Sequence, residues 1–432
     1  MDYKKITGES TRDEKKQNVS LMDKIKLNSL EFKSPLYSAP VSLRNTRQFP
    51  FAQSSYNSGQ TMLANLQTSS FYLDGRNSRL EFTIEFTGTA AEIVSLGQGS
   101  ALNVVRSVVL TSRSGTEISR LNSVNLFAAK THRFTKSKDW FDTEGTLVGY
   151  HQERITIPAG GTISHKFAIP LPMISGFFAP LNSQYLPPYI SSGLRIEIQL
   201  ATSNEALHRT TANGNAVSYR IVDPVLVCDL VKMSDKVDQI MTSIAHKAGL
   251  DIVFDEYDTF SVVTSSQKNT IDINKTASKA EKVIVCSRTA THVSSLTEDG
   301  MMSENYAVNE YQARVGSVYH PQTAITEKVS AYANALQLFK GMRKDERSYP
   351  QASLGTFSLH STNAGVTTGG YAVLGTNLSR SSLIDNQCIP LNNSHSLSLS
   401  IGFNSAADRQ IDAFLVYKKV CKCFTNNAII YE

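Results

Sequence analysis

The chain contains no apolar run that approaches the roughly eighteen residues of a membrane-spanning helix. Its first residues, MDYKKITGESTRDEKKQ, are charged and lack the apolar core of a secretory signal. The five cysteines are an odd number scattered over a large chain, which is not the pattern of a disulfide framework. These absences predict a protein that is made inside a cell, is not secreted and keeps its thiols reduced.

Sequence motifs for catalysis and cofactor binding are also missing. The nine histidines form no His-Glu-x-x-His pattern, and no nucleophile lies in a Gly-x-Ser-x-Gly elbow. Gly97-Gln-Gly99 lacks the lysine of a phosphate-binding loop. The 43 basic and 38 acidic residues leave a net charge of +5 without a strongly basic stripe. We therefore predict that the chain is not an enzyme, with no cofactor and no catalytic or metal-binding residue.

Segments of strict apolar–polar alternation dominate what is present. Residues 80–86, 194–200 and 397–403 each place apolar side chains on one face and polar side chains on the other. This period of two is typical of a half-buried antiparallel strand. The last two segments are each followed, after a loop, by a second apolar strand, at 225–231 and at 411–420. The two halves of the chain therefore follow one plan.

Helical spacing strengthens the likeness between the halves. A helix-like stretch lies upstream of each strand pair, near 120–136 and near 326–340. Ile118 and Leu121 begin the apolar spacing of the first stretch. Many short strands separated by turns favour a sandwich or barrel over a parallel sheet. We predict an all-β protein made of two similar domains with short helices.

Composition predicts the boundaries of these domains. Residues 1–48 form a polar arm with too few large apolar groups to fold alone. The first domain covers 49–232, a connecting helix covers 233–249, and the second domain covers 250–432. Three long polar stretches lack apolar runs, and we therefore predict that they are surface loops: 260–282, 287–325 and 343–370.

The connecting helix has well-defined ends. Ser234 is a good N-cap, and Gly249 can close the helix in a left-handed conformation. One apolar stripe runs along it, formed by Val237, Ile240, Met241, Ile244 and Ala248. We predict that the stripe packs across the base of the two domains. The alternative is that it binds in a groove of a partner.

Several clusters of reactive side chains have plainer explanations. Asp255, Glu256 and Asp258 lie on a predicted strand, where neighbours point to opposite faces, so we predict solvated surface or interface carboxylates rather than a metal site. Cys421 and Cys423 have the wrong spacing for a zinc knuckle, and we predict buried core thiols.

A small basic cluster consists of His132, Arg133, Lys136 and Lys138. Four basic side chains on one short stretch could face nucleic acid by neutralising phosphates. A solvated helix face or a salt bridge between subunits explains the same pattern, and we favour those interpretations.

The body of the chain also resembles a known family. The phrases that carry the resemblance are GLRIEIQL at 193–200 with YRIVDPVLV at 219–227, MSDKV at 233–237 leading to GLDI at 249–252, GTNLSRSS at 375–382, IPLNN at 389–393 and IDAFLVY at 411–417. On these residues, roughly residues 50–432 resemble the double jelly-roll major capsid proteins of double-stranded DNA viruses. Within that group they are similar to the polinton-like virus, virophage and adintovirus branch.

The resemblance implies a fold and a role. It implies two tandem eight-stranded jelly rolls, preceded by the arm, in a subunit that forms a pseudo-hexagonal homotrimer. Such trimers would tile an icosahedral shell around a double-stranded DNA genome, which places the protein in the virion. The implied partners are the chain itself, neighbouring trimers and a penton or minor capsid protein, with a non-specific genome contact on the inner face. The sequence makes no prediction about a membrane contact.

One loop is a candidate for the contact between subunits. Phe177, Phe178, Pro180 and Tyr189 combine aromatic side chains with rigid prolines, which suits contact anchors better than core strands. A trimer interface and packing on the loop's own domain explain this composition equally well. An alternative for the whole chain is a two-domain β-sandwich that binds carbohydrate like a lectin, although a single tryptophan, Trp140, counts against it.

Overall fold

The computed structural model describes the strands and helices of both halves of the chain. The described residues are 41–96, 100–150, 155–183, 185–209, 216–290, 296, 299–301, 308–339, 361–363, 366–368, 370, 372–378, 389–392, 396–425 and 428–431. The predicted arm up to residue 40, Gly97-Gln-Gly99 and Cys388 lie outside them.

The first half is built from strands that pair in antiparallel sheets. The strands are β1 (Val41–Pro50), β2 (Ser55–Asn57), β3 (Thr61–Asn65), β4 (Tyr72–Gly88), β5 (Glu92–Leu96), β6 (Val105–Thr111), β7 (Glu117–Asn122), β8 (Ile155–Ile157), β9 (Thr162–Pro170), β10 (Arg195–Leu200), β11 (Leu207–Arg209) and β12 (Val217–Met233). Short helices lie between them: α1 (Val124–Thr135), α2 (Lys138–Asp142), α3 (Glu144–Leu147), α4 (Leu171–Ile174), α5 (Pro188–Ser191) and α6 (Ser203–Ala206), with 3-10 turns at Ala101–Val104 and Gly176–Phe178.

These strands form what we call the first roll. One sheet has the order β1-β12-β4-β9, with β2 also on β12, and another has the order β3-β10-β6-β7. A small sheet, β11-β5-β8, completes the unit. Alternate side chains of the sheets meet in one apolar core, for example Phe82 and Ile84 from β4 and Ile196 and Ile198 from β10. The predicted alternation at 80–86 and 194–200 therefore marks the inner faces of two sheets.

The second half repeats this plan as the second roll. Its strands are β13 (Leu250–Thr264), β14 (Lys268–Ile273), β15 (Ala277–Thr289), β16 (Val308–Val315), β17 (Val318–Ile325), β18 (Ser361–Asn363), β19 (Val366–Thr368), β20 (Leu374–Asn377), β21 (Ile389–Leu391), β22 (Leu397–Phe403), β23 (Arg409–Cys423) and β24 (Ala428–Tyr431). They form the sheet β13-β23-β15-β20, with β21 also on β15 and β24 also on β23, and the sheet β14-β22-β16-β17, and β18 pairs with β19. The prediction of two similar all-β halves is confirmed.

Two further helices belong to the second half of the chain. Helix α7 (Asp235–Lys247) follows β12 directly and leads to β13, within the stretch predicted for the connecting helix. Gly249 ends it with φ +77°, the left-handed conformation expected of a closing glycine. Helix α8 (Lys328–Leu338) lies within the predicted stretch 326–340.

The structure corrects the start of the first predicted helix. Ile118 and Leu121 lie in β7, and α1 begins only at Val124. One face of β7 supports the first roll, while its other side packs against β13 of the second roll. Ile118, Ser119 and Leu121 are all buried as a result. A strand that is covered on both faces loses the alternation of apolar and polar residues. Here the spacing of the apolar residues resembles that of a helix.

Two other predicted features are also wrong in part. The polar stretch 260–282 contains the end of β13, all of β14 and the start of β15, and 308–325 forms the hairpin β16–β17. These strands expose one polar face to water, so low hydrophobicity did not indicate loops. The predicted arm extends too far, because β1 begins at Val41 and pairs with β12 from there on.

Candidate functional site

The candidate site is the contact between the two rolls, which we call the seam. Phe177 and Phe178 lie in the seam with no exposed area. The ring of Phe177 meets Phe254 of β13 edge-on, with 5.3 Å between ring centroids. Aromatic rings in this arrangement gain energy beyond the area they bury. The seam therefore joins the rolls through their cores.

Close backbone approach supports the aromatic contact. A Cβ atom on Gly176 would lie 2.3 Å from the carbonyl oxygen of Asp255 on β13, a distance that no side chain tolerates. Glycine is needed here because the loop of one roll touches the backbone of the other. Next to it, the backbone N–H of Leu181 donates to the carbonyl oxygen of Val253 at 2.7 Å.

A second aromatic cluster lies further along the seam. Phe127 of α1 stacks on Tyr257 of β13 with 3.9 Å between centroids, and Phe414 of β23 meets both rings edge-on. Phe134, also on α1, stacks on Phe339 of the second roll at 5.2 Å. Helix α1 thus contributes two aromatic anchors to the opposite roll, and the two rolls pack as one block.

A buried carboxyl group sits between these aromatic contacts. Glu256 is 2% exposed, accepts a hydrogen bond from the backbone N–H of Arg120 at 3.0 Å, and lies 3.4 Å from the Nζ of Lys419. Burial raises the pKa of the Glu256 carboxyl to about 7, although Lys419 and the Arg120 N–H act in the opposite direction. Removal from water is therefore the dominant influence on the pKa of the Glu256 carboxyl group.

The raised pKa predicts a specific pH dependence of stability. The folded chain holds the Glu256 proton up to about pH 7, whereas the unfolded chain releases it near 4.5. The free energy of unfolding should therefore fall as the pH rises between these values, by a contribution of about 3 kcal/mol. Glu256→Gln removes the titrating group, so its unfolding midpoint in urea should change less between pH 4.5 and 7 than that of the unmodified chain.

A glutamate outside the seam provides the control for this experiment. Glu310, on β16, is partly exposed and pairs with the exposed Lys268. Glu310→Gln should keep the pH slope of the unmodified chain. Equal slopes for the unmodified chain and Glu256→Gln would contradict the role of Glu256.

A fully buried cluster of charges lies where α1 meets the second roll. Arg288 of β15 donates to the Oδ2 of Asp412 on β23 through Nε at 3.0 Å and Nη2 at 2.7 Å, and its Nη1 donates to the carbonyl oxygen of Gly300. Lys130 of α1 is also buried, and burial lowers its pKa to about 8. The negative charges of Asp299 and Asp412 act in the opposite direction and favour the charged form of Lys130.

The predicted contact residues lie mainly inside the chain. Phe177, Phe178 and Pro180 are buried, and the Pro180 carbonyl oxygen accepts a hydrogen bond from Arg76 at 2.8 Å. These three residues therefore pack on their own chain, and a contact of the loop with a neighbouring subunit stays a prediction. Tyr189 is half-buried and its hydroxyl bonds to Thr242 of α7. A subunit contact through Tyr189 stays a prediction.

The basic cluster is organised by aromatic rings. The His132 Nδ1 lies 2.6 Å from the Tyr150 hydroxyl, and burial, with the charges of Lys136 and Arg133, lowers the pKa of His132. Arg133 lies over the ring of Phe141, and Lys136 lies over Trp140. Lys138 alone of the four is fully on the surface. The cluster packs on its own domain, which favours neither the genome nor the salt-bridge interpretation.

The carboxylates of β13 and the two cysteines of β23 form ion pairs and core contacts within the chain. Asp255 and Asp258 form ion pairs with Lys418 and Lys275, whereas Glu256 points into the seam, so the carboxylates do not converge. The Sγ atoms of Cys421 and Cys423 lie 3.7 Å apart and both thiols are buried, as predicted. Within the part of the chain that the structure describes, no group of three or more His, Cys, Asp or Glu side chains could hold a metal ion. Nor does any helix there have the length and apolarity needed to cross a membrane.

The apolar stripe of α7 differs from its prediction. The helix touches the first roll through its polar side, where Asp238 accepts a hydrogen bond from the Tyr72 hydroxyl at 3.1 Å. Ile240 is 60% exposed and Ile244 is 42% exposed. Ala245 is the buried member of the helix. The helix thus occupies its predicted place in the chain, but its apolar flank faces outward.

Comparison with solved structures defines the fold of the chain. The Faustovirus major capsid protein matches with a TM-score of 0.62 at 6% identity, covering 92% of this chain and 92% of that chain. The mavirus major capsid protein matches with a TM-score of 0.54 at 9% identity over 93% of each chain. No protein-family model matches the chain, and no curated protein matches it in sequence.

The chain therefore has the double jelly-roll fold of viral major capsid proteins. Its structural neighbours include virophages: a chain of the Sputnik virophage matches with a TM-score of 0.57 at 10% identity, covering 92% of this chain and 90% of that chain. This is the fold that the sequence phrases predicted. Because the identities are this low, the similarity lies in the backbone architecture and not in shared side chains.

Proposed function

We propose that the chain is a major capsid protein, and that three copies form a pseudo-hexagonal capsomer that tiles an icosahedral shell around a double-stranded DNA genome. The observation that carries this proposal is the double jelly roll itself, which extends over 92% of the chain in its match to the Faustovirus major capsid protein. The role is structural and not catalytic. The protein then belongs to the virion and is made in the interior of the host cell.

The seam supports this role physically. A shell needs blocks that keep their shape under the forces between neighbours. Phe177 and Phe254 fix one part of the seam, and Phe127 and Tyr257 fix another, so the two rolls keep one relative orientation. Three such two-lobed blocks around a threefold axis present six similar lobes, which is the shape that packs on a hexagonal lattice.

The division of the chain follows from the same proposal. The first roll within 49–232 and the second within 250–432 are the two lobes, and 233–249 is the connector, with β1 added to the first roll from Val41. The partners are other copies of the chain, neighbouring capsomers and a penton or minor capsid protein. A non-specific genome contact on the inner face also remains part of the proposal.

Light scattering after size-exclusion chromatography tests the proposal. We expect a stable species of three chain masses of 47.5 kDa each, because subunits of this size use large apolar interfaces. Negative-stain images of that peak should show pseudo-hexagonal particles. The trimer should persist on dilution into the nanomolar range. A monomer that forms no larger species at any concentration would contradict the capsomer.

The same experiment separates the capsid role from the lectin-like alternative. A carbohydrate-binding surface needs an aromatic ring with a free face. The one tryptophan, Trp140, instead contacts Phe141 and Tyr150 and carries Lys136 over its ring. A monomer that binds a glycan array would support the alternative. A trimer without glycan binding supports the capsid protein.

A further inference from the structure

The outward flank of α7 is an apolar surface without a partner among the described residues. The exposed side chains of Ile240 and Ile244 form its centre, and Val237 and Met241 are half-buried beside them. The opposite side of the helix is already occupied, because Asp238 bonds to Tyr72. Isoleucines repeated at this spacing on a 13-residue helix are typical of a face that another element covers.

The course of the chain brings one particular segment to this flank. Val41, the first residue of β1, pairs with Met233, the last residue of β12. Ser234 follows Met233 and is the N-cap of α7. Residue 40 is one peptide unit, about 3.8 Å, from Val41. The N-terminal end of β1 therefore lies beside the first turn of α7.

The sequence of this segment suits the surface. Residues 30–40 carry the apolar side chains Leu30, Phe32, Leu36 and Tyr37. Pro35 and Pro40 disfavour a regular helix and favour an extended path. Helix α7 is roughly 20 Å long, and the seven residues before Val41 span about 23 Å when extended. The segment can thus follow the whole helix without a gap in the chain.

We propose that residues 30–40 cover the apolar flank of α7 in the same chain. The short connection through Val41 keeps the segment at a high effective concentration next to its own helix, which favours it over the segment of another copy. The contact buries Ile240 and Ile244 against Leu36 and Tyr37. It joins the N-terminal segment to the connector between the rolls, and it does not depend on the proposed capsid role.

Thiol labelling tests the contact directly. Ile240→Cys places a thiol on the flank in a chain whose described native cysteines are buried, and Cys388→Ser removes the remaining one. We compare this chain with one that also carries Leu36→Asp and Tyr37→Asp, using a bulky maleimide. Labelling should be slower by about tenfold or more in the chain with the native segment, because the contact must open before the reagent enters.

Two controls distinguish protection of position 240 by the segment from a general effect of the substitutions on folding. Val329 on α8 is 61% exposed, and Val329→Cys should react equally fast with both segments. A chain that lacks residues 1–40 should react at position 240 as fast as the double aspartate variant, and a synthetic peptide of residues 30–40 should slow it again at high concentration.

The possible outcomes are distinct. Protection that depends on Leu36 and Tyr37 and is independent of protein concentration supports the proposal. Equal fast labelling in both chains overturns it and shows an uncovered flank. Protection that increases with protein concentration and is unchanged by the two substitutions overturns the proposal and indicates that a second copy of the chain covers the flank. Protection that requires added phospholipid vesicles overturns it in favour of a membrane surface.

Discussion

Asp412→Ala is expected to lower the free energy of unfolding by about 3–5 kcal/mol, the cost of removing one partner from a buried ion pair. Arg288 loses the carboxylate that accepts from its Nε and Nη2, and Gly300 remains its acceptor through Nη1. Lys130 is buried beside the same group. The variant therefore leaves Arg288 without its paired carboxylate and Lys130 without the contribution of Asp412, while Asp299 still offsets part of the Lys130 charge.

Urea unfolding at a fixed protein concentration measures this effect. Glu310→Ala is the matched control, because it breaks the Lys268–Glu310 pair, whose side chains are 84% and 39% exposed. An exposed pair contributes less than about 1 kcal/mol, so this variant should unfold close to the unmodified chain.

A double variant identifies the cause of the loss. Arg288→Met with Asp412→Leu replaces the buried ion pair by apolar side chains and leaves Lys130 in place, and it should recover most of the stability that Asp412→Ala loses. If the double variant were as unstable as the single one, loss of packing rather than an uncompensated charge would explain the result.

The sequence predicts best those features that depend on local periodicity. The alternation at 80–86 and 397–403 correctly indicates strands with one buried face, because side chains in a strand alternate by geometry alone. The caps of α7 are also local, and the helix lies between Ser234 and Gly249 as expected. Repetition of this plan in both halves was enough to predict two similar rolls.

The features that the sequence did not reveal depend on contacts between distant residues. The Phe177 ring is buried where it meets Phe254, far along the chain, and Phe178 packs edge-on against Phe177. Glu256 has an ordinary strand context, and it is removed from water only when β7 of the other roll packs on β13. No local signal marks either case. Glycine at position 176, beside two phenylalanines, was the available hint of a close approach between backbones.

Helix α7 shows the limit of an amphipathic pattern. Periodicity identifies which side chains form the stripe, but it does not specify what covers them. The polar side of α7 bonds to Tyr72 and Tyr189, so the helix lies with its apolar flank turned away from the first roll. Burial of a stripe is a property of the assembled chain, and here it requires an element beyond the described sheets.

Phe178→Ala is expected to destabilise the folded chain itself, by about 3–5 kcal/mol, because it leaves a cavity in a closely packed seam. Phe178 has no exposed area and packs edge-on against Phe177, with 5.9 Å between centroids. Leu181→Ala in the same loop is the matched control: Leu181 is 50% exposed, and its truncation should cost less than about 1 kcal/mol.

These two variants also separate the two interpretations of the loop. If the loop packs on its own chain, Phe178→Ala lowers the urea midpoint at every protein concentration, and the trimer weakens only as its subunits unfold. If the loop were a subunit contact instead, Phe178→Ala would reduce the trimer fraction on dilution and leave the unfolding of the dissociated chain unchanged. Because the Phe177 ring also contacts Phe254 of the second roll, loss of Phe178 should loosen the junction of the rolls. Faster proteolysis within 233–249 would report that loosening, and unchanged proteolysis together with unchanged stability would contradict it.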